Sequence, residues 1–407
     1  MLILSAFFWV CVFLLAYVFL GYPVLMYFRA VFRRYPHHPI SGFEPEVSLV
    51  IVAYNEASRV CQRLENILSL DFPRNLLEIV FVSDGSTDRT VEQAWNYAEA
   101  GVKVISFGAR RGKPAVLNDV IPKLKGKIVV FADARQRFKS DVLRSLVKHF
   151  SDPKVGAVSG ELILTKEPKS NMVKEGLGFY WHYEKFIRRL ESKVDSTVGA
   201  TGAIYAIRRD LFEPLPKDTL LDDVLIPMRI VRKGYRVLFD PQAKAYDRLA
   251  ATAREEFTRK IRTITGNFQL FTRECWLLNP FRNRLWFQSV SHKGLRLLIP
   301  LFIGGAFVTN IILADIWLYQ WCLALQVLFY SAAFGGAVLQ RTKRRVPLLS
   351  VPYAICLLTW ATVVAFWQFI TGGQSVTWAK ESPIRDRHRG AVPVGTSAET
   401  SRFPKRG

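Results

Sequence analysis

Four stretches without a charged side chain, residues 1–28, 297–314, 316–340 and 346–379, dominate the 407-residue chain. A hydrocarbon core about 30 Å thick needs roughly 20 helical residues to cross it, so each stretch is a candidate membrane span. The first is long, has no basic segment ahead of it, and runs into Arg29, Arg33 and Arg34 rather than a small-residue cleavage site. That pattern describes a retained anchor, not a removed signal peptide. Positive charge on its downstream flank places the large middle segment in the cytoplasm, and Arg341, Lys343, Arg344 and Arg345 between the last two runs agree. The tail 380–407 disagrees: it holds seven Lys or Arg and three acids, yet three spans after the middle segment carry it to the far side.

The chain has 56 Lys and Arg against 34 Asp and Glu, a formal charge of +22, with 50% hydrophobic residues. Such apolar content excludes a disordered polycation, and its concentration in lipid-length runs argues against a plain soluble nucleic-acid-binding domain. Residues 263–296 mix Trp276, Phe281, Trp286 and Phe287 with Arg273, Arg282, Arg284, Lys293 and Arg296. Aromatics among cations suit an amphipathic segment lying in the membrane interface. RNA binding uses the same ingredients, but a place between the middle segment and a span favours lipid, and no nucleic-acid partner is expected. The five cysteines form no CxxC pair, so neither a zinc site nor a redox pair is indicated.

Between Glu46 and Leu249, β-branched runs alternate with amphipathic stretches. Val47–Ala53, Leu77–Ser83, Val102–Ser106 and Ile128–Ala132 read as buried parallel strands. Strands alternating with helices predict a mostly parallel α/β sheet with helices on both faces, a Rossmann-like fold joined to about four transmembrane helices. Ligands in such sheets sit at the carboxyl ends of the strands. There the chain places Tyr54, Asn55 and Glu56, then Asp84-Gly85-Ser86-Thr87-Asp88, then Asp133-Ala134-Arg135. Asp and Ser also cap helices, and Thr87 and Asp88 suit that role. Asp84 and Asp133 follow their strands directly and are placed to face a ligand. Arg110-Arg111-Gly112-Lys113 ahead of a helix fits an anion site, with glycine for close backbone approach and cations for phosphate. It lacks the second glycine and the Lys-Ser/Thr ending of a P-loop.

These strings together resemble glycosyltransferase family 2, the inverting GT-A enzymes that use nucleotide-diphosphate sugars, and especially its membrane-bound members related to cellulose, hyaluronan and poly-N-acetylglucosamine synthases. The likeness covers about Val47 to Arg262: VIVAYNE and VSDGSTDRT match the family's first two strands, and GKPAVLN its GK-x-x-ALN segment. It implies that Glu56 and Asp84 contact the nucleoside and that Lys113 lies near it or the diphosphate. It also implies that Asp133 helps hold Mg²⁺ or Mn²⁺ and that Arg262 faces the leaving diphosphate. Two motifs depart from the pattern. The DxD motif reads Asp133-Ala134-Arg135, which leaves Arg135 as a candidate for part of the charge neutralisation. The QxxRW motif reads Arg259-Lys260-Ile261-Arg262-Thr263, so the tryptophan that stacks an acceptor in processive synthases is absent.

An inverting transfer needs a carboxylate that accepts the proton of the attacking hydroxyl. Asp222-Asp223, opening an amphipathic stretch, resembles the family's TED or EDxxL segment, which makes Asp223 the base and Asp222 the neighbouring acid; acids at a helix start also complement its dipole. Gly199-Ala200-Thr201-Gly202 resembles the acceptor-binding stretch, implying acceptor roles for Gly199, Thr201, Gly202 and Asp222, although a tight turn selects glycine equally. Gly160-Glu161 and Trp181-His182-Tyr183 are further candidates for the acceptor side, although a turn explains the first equally and a helix packing against membrane-facing residues the second.

The expected organisation is an anchor (1–28), a cytoplasmic GT-A domain (46–262), an interfacial segment (263–296), three spans (297–379) and a basic, disordered tail (380–407). The expected activity is transfer from a nucleotide sugar, foremost a UDP-sugar, to a surface polysaccharide or glycolipid at the inner or plasma membrane, with accessory export or synthase subunits as further partners. One alternative is single-sugar transfer to polyprenyl phosphate or another lipid. Another is a non-catalytic protein binding anionic lipid or nucleic acid through its charge.

Overall fold

A computed structural model describes residues 1–32, 35–165, 172–248, 253–341 and 347–373. The β-branched runs form strands β1 (Val47–Ala53), β2 (Leu77–Asp84), β3 (Val102–Phe107) and β4 (Ile128–Asp133). Four more strands follow, β5 (Arg137–Phe138), β6 (Val155–Thr165), β7 (Ile204–Arg208) and β8 (Arg236–Arg248), and all eight join one sheet ordered β3-β2-β1-β4-β7-β6-β8-β5. β1 runs parallel to β2 and β4, and β2 to β3. β7 is inserted antiparallel between β4 and β6, while β6 and β8 are parallel. The sheet is therefore mostly parallel with an antiparallel insertion. The strand β3, read from its composition as buried, lies at the sheet edge, and of its residues only Val102 is fully buried.

Alternation along the strands feeds two cores. Leu49, Ile51, Phe81 and Val130 face one side, where Val60, Leu64 and Ile67 of helix Ala57–Leu68 and the helix Val142–Val147 cover them. Val50, Val80, Val82 and Phe131 face the other, against helices Lys113–Val120 and Asp222–Arg232. Each fully buried Leu, Ile or Phe contributes about 1.5–3 kcal/mol of burial. In register, Ala53 stands opposite Ser83, and Val52 opposite Asp133, so the polar strings that follow β1, β2 and β4 emerge at one edge.

Helices Leu2–Phe32, Trp317–Leu339 and Leu349–Ile370 are long and apolar enough to cross a membrane. The run 297–314 differs from the straight span its composition predicts. Helix Ile299–Ile312, 14 residues long, rises only about 21 Å, and it meets Trp286–Leu297 at a 57° bend. Pro300 at the start of the second helix lacks the N–H that would continue the ladder. The bent pair makes a fourth candidate span, so part of the segment expected in the interface belongs with it. The expected boundary at 262 falls inside one continuous helix, Ala253–Arg273. The basic tail 380–407, Arg33, Arg34 and Lys343 to Arg345 lie outside the described residues.

Two helices tie the sheet to the spans. In Ala253–Arg273, Ile261 packs with Ala361 and Ala365 of the last span, and Phe268 lies against Phe366 and Phe369. Helix Met172–Val194 packs Ile187, Leu190 and Val194 on Tyr22, Met26 and Ala30 of the first span. A buried polar network reinforces this second seam. The Glu191 carboxylate accepts from Tyr22 Oη at 2.6 Å, lies 2.7 Å from His292 Nδ1, and accepts the Val198 N–H at 3.4 Å. His292 Nε2 is 3.0 Å from Glu184, which also pairs with Arg296. Removing one member of a buried ion pair leaves its partner desolvated at a cost of about 3–5 kcal/mol. Glu191→Ala is thus expected to lower the apparent melting temperature in detergent by several degrees, while an exposed change such as Glu92→Ala leaves it in place.

Candidate active site

The polar strings at the strand ends build one side of a crevice. Asn55 adopts a positive φ of 54°, a conformation asparagine tolerates better than most residues. Its N–H donates to Ser86 Oγ at 3.1 Å, and its Oδ1 accepts the Thr87 N–H at 2.8 Å. Asp88 accepts from the Ala57 and Thr90 backbone N–H groups at 3.3 and 3.0 Å, joining the starts of two helices, the helix-capping role expected of it. Glu56 sits at the head of Ala57–Leu68 and accepts from Arg59 Nη1 at 2.8 Å.

Asp84 is 4% exposed, and its two carboxylate oxygens accept the Arg111 and Gly112 N–H groups, each at 2.8 Å. It thereby fastens the basic loop to β2. Gly85 makes that closure possible: φ is +70°, and a Cβ there would lie 2.4 Å from the Arg110 backbone nitrogen. The Arg110 guanidinium covers the Tyr54 ring at 3.7 Å, which forms a flat platform beside Asp84. Asn118, noted in the sequence beside this loop, exchanges two 2.8 Å hydrogen bonds with the Leu215 backbone and has a structural role.

Lys113 opens the helix Lys113–Val120 and reaches across the crevice. Its Nζ stands 3.3 Å from Asp133 Oδ1 and 3.3 Å from Asp222 Oδ2, so one ammonium links the strand-end acid to the acidic helix start. Burial opposes its charge, but Asp222, Asp133 and Asp223 overcome that and hold Lys113 above the usual lysine range. Arg135 turns elsewhere: its Nε meets Asp247 Oδ2 at 3.0 Å, and the same oxygen accepts from Gln136 Nε2 at 3.0 Å. Lys113, not Arg135, is the cation paired with Asp133.

Asp223 lies beneath the Gly199–Gly202 loop. Its carbonyl accepts the Ala200 N–H at 2.8 Å, and a Cβ on Gly202 would sit 2.8 Å from Asp223 Oδ2. Gly199, at φ +88°, packs on Val224. Burial first, then Asp222, push the Asp223 carboxyl up to about 6, although Lys113 and Arg188 pull it down. Arg262, from Ala253–Arg273, shares this field: burial lowers it, while Asp222, Asp223 and Asp133 oppose the shift. Thr201 is buried and accepts from Arg188 Nη1 at 2.7 Å.

The crevice therefore gathers Lys113, Asp133, Asp222, Asp223 and Arg262. Glu56 and Asp84 stand on its β1–β2 side, and Gly199, Thr201 and Gly202 roof Asp223. Sequence reading missed two participants. Tyr205, stacked on Phe131 at 4.3 Å, points its hydroxyl at Asp222 Oδ2 at 3.5 Å; in AIYAIRR it reads as one more apolar strand residue. Arg188 is one cation among many on an amphipathic helix and has no local signature. Among the described residues no group of three or more His, Cys, Asp or Glu is arranged to hold a metal by itself.

A mostly parallel sheet with acids at its strand ends and a partly buried carboxylate opposite is the architecture of a GT-A glycosyltransferase. Residues 48–215 match the model of the glycosyl transferase family 2. The chain is 21% identical over 308 residues to a poly-beta-1,6-N-acetyl-D-glucosamine synthase of Staphylococcus epidermidis, across 74% of this chain and 70% of that one. It is 35% identical over 134 residues to a beta-monoglucosyldiacylglycerol synthase of Nostoc sp., across 31% of this chain and 29% of that one. Among solved structures, a mannosyltransferase of Pyrobaculum calidifontis in complex with GDP-Man and Mn²⁺ superposes with a TM-score of 0.68 at 25% identity, covering 90% of this chain and all of that one. The protein is a glycosyltransferase. The family match ends before Asp222, Asp223 and Arg262, so their roles rest on the geometry above.

Because Gly202 leaves the space that the Asp223 carboxylate fills, Gly202→Ala must displace that carboxylate. Misplacement by about 1 Å can cost 100-fold in rate. Transfer by this variant is expected to fall by about that factor, with far-ultraviolet circular dichroism unchanged.

Proposed function

We propose that the protein is an integral-membrane inverting glycosyltransferase with its catalytic domain in the cytoplasm, moving a sugar from a nucleotide-diphosphate sugar to a hydroxyl of a growing surface polysaccharide or glycolipid. The observation that carries this reading is Asp223: a partly buried carboxylate with its titration moved up to about 6, facing the Gly202 backbone across from the Lys113 cluster. A base tuned toward neutral pH is suited to accept a hydroxyl proton.

In this reading Glu56, Asp84 and the Tyr54–Arg110 platform surround the nucleoside, Asp84 chiefly by fixing the basic loop. Lys113 and Arg262 face the diphosphate. The acceptor oxygen attacks the anomeric carbon from the face opposite the leaving group. The new C–O bond forms as the sugar–phosphate bond breaks, the proton passes to Asp223, and the electron pair leaves with the nucleoside diphosphate. Asp222, held by Lys113 and Tyr205, keeps the helix start in place beside the base.

A divalent ion fits the donor set. Mg²⁺ sites commonly use one or two carboxylates with substrate phosphates and water, and Asp133, partly exposed at the end of β4, offers one such carboxylate. When bound, Mg²⁺ or Mn²⁺ would neutralise charge on the departing diphosphate.

Single-sugar transfer to a lipid such as polyprenyl phosphate is the second reading. Thr263 stands where processive synthases place their stacking tryptophan, and its hydroxyl donates back to the Arg259 carbonyl at 3.0 Å, offering no stacking face.

Membranes incubated with labelled UDP-sugars and GDP-mannose, with and without EDTA, will yield product that partitions as lipid or as polymer and so separates the two acceptor classes. Asp223→Asn is expected to slow transfer by about 10²–10⁴, and equal rates in variant and wild type would reject the assignment of the base. The base must be ionised to act, so kcat is expected to rise with pH through an acid limb near 6, following the raised titration of Asp223.

A further inference from the structure

The Gly199–Gly202 loop is held from two sides. On one, the Asp223 carbonyl takes the Ala200 N–H at 2.8 Å. On the other, Arg188 Nη1 donates to Thr201 Oγ1 at 2.7 Å, while the Thr201 N–H donates to Ser159 Oγ at 2.9 Å. Arg188 lies on helix Met172–Val194 between Glu184 and Glu191. That spacing, i, i+4 and i+7, puts the three residues on one helix face. Glu184 and Glu191 are the acids clamped by His292, with Arg296 on Glu184 and Tyr22 on Glu191. The helix is thus locked in rotation by membrane-side groups, and Arg188 is delivered to the loop with little freedom. Beside it a small cleft is lined by Glu161, Trp181, Lys185, Arg188 and Thr201.

We propose that Arg188 is a positioning residue for the acceptor: through Thr201 it sets the height of the Gly199–Gly202 loop over Asp223, and with it the place where the acceptor hydroxyl meets the base. The inference rests on the reading of Asp223 as that base. Arg188 has a second, electrostatic link to the same group. The charged and titratable groups around Asp223 are Asp222 on its own helix, Lys113, Asp133 on β4, Arg262 on Ala253–Arg273, Tyr205 on β7, and Arg188. Of these, Lys113 and then Arg188 act most strongly to lower the Asp223 titration, and Arg262 acts in the same direction. Loss of Arg188 therefore removes both a hydrogen bond to the loop and a cation that favours the ionised base.

The test measures kcat, donor KM and the pH profile of transfer in membranes for three variants. Arg188→Gln is expected to lower kcat about tenfold or more, to leave donor KM within about twofold, and to move the acid limb upward by about one pH unit, the size expected when a nearby opposite charge is lost. Arg188→Lys, which keeps the charge without the planar fork, is expected to return the limb to its wild-type position with only partial recovery of kcat. Thr201→Val breaks the hydrogen bond and keeps the cation, so kcat should fall with no movement of the limb; this arm also stands if Arg188→Gln fails to accumulate. An unshifted limb in Arg188→Gln, equal loss at every pH, or a wild-type kcat in Thr201→Val overturns the proposal. If Asp223→Asn is inactive while Arg188→Gln behaves like wild type, only this inference fails. If Asp223→Asn transfers normally, the underlying reading of the base fails.

Discussion

Asp133, Asp222 and Asp223 converge on one crevice, and their mutual repulsion must be met before anything else in the site can be stable. Lys113 meets it from the middle, 3.3 Å from two of the three, and Arg262 adds a second positive charge. Like charges in a partly dry site raise one another's titration; burial and the Asp222 charge together push Asp223 upward. A crevice so balanced has little room for the further negative charge of a donor diphosphate unless that charge arrives with a cation or finds one. The charge balance thus ties the proposed donor binding, the proposed base and the proposed divalent ion to the same few side chains.

The membrane helices do more than anchor this site. Two of the elements that supply its cations are themselves fastened to spans: Ala253–Arg273, with Arg262, to the last helix, and Met172–Val194, with Arg188, to the first. The clustered acids come from the sheet and the helix packed on it, whereas these two arginines come from helices packed on the spans. A buried network of Glu184, Glu191, His292, Arg296 and Tyr22 keeps the second of these in register, at a desolvation cost that hydrophobic packing alone would not incur. Such networks specify one arrangement, because a rotated helix would strand several charges at once.

Strands β1 to β4 were legible because each is a continuous run of β-branched residues, and their observed limits depart from the reading by at most one residue, where Asp84, Phe107 and Asp133 extend them. The antiparallel insertion was not legible. β7 follows a glycine loop and carries Tyr205 and Arg208, while β6 gains its place by pairing with β7 and β8, and β8 by pairing with β6 and β5. The bend before Ile299–Ile312 was equally hidden, since an uncharged run reports hydropathy and not direction. Asp84 was read as facing a ligand, and its position at the strand end was legible. That both of its oxygens take backbone N–H groups from a loop 27 residues away depends on the path of the intervening chain.

The apolar runs, the parallel core and the identity of the acids at its strand ends can be read from the chain alone, because hydrophobic periodicity and residues that follow a strand directly are local properties. Folding is what sets Lys113 rather than Arg135 beside Asp133, brings Tyr205 and Arg188 to the crevice, and partly buries Asp223 beneath the glycine loop. Those outcomes depend on distances between segments far apart in the chain and on how much water the fold excludes, neither of which a string of residues encodes one position at a time.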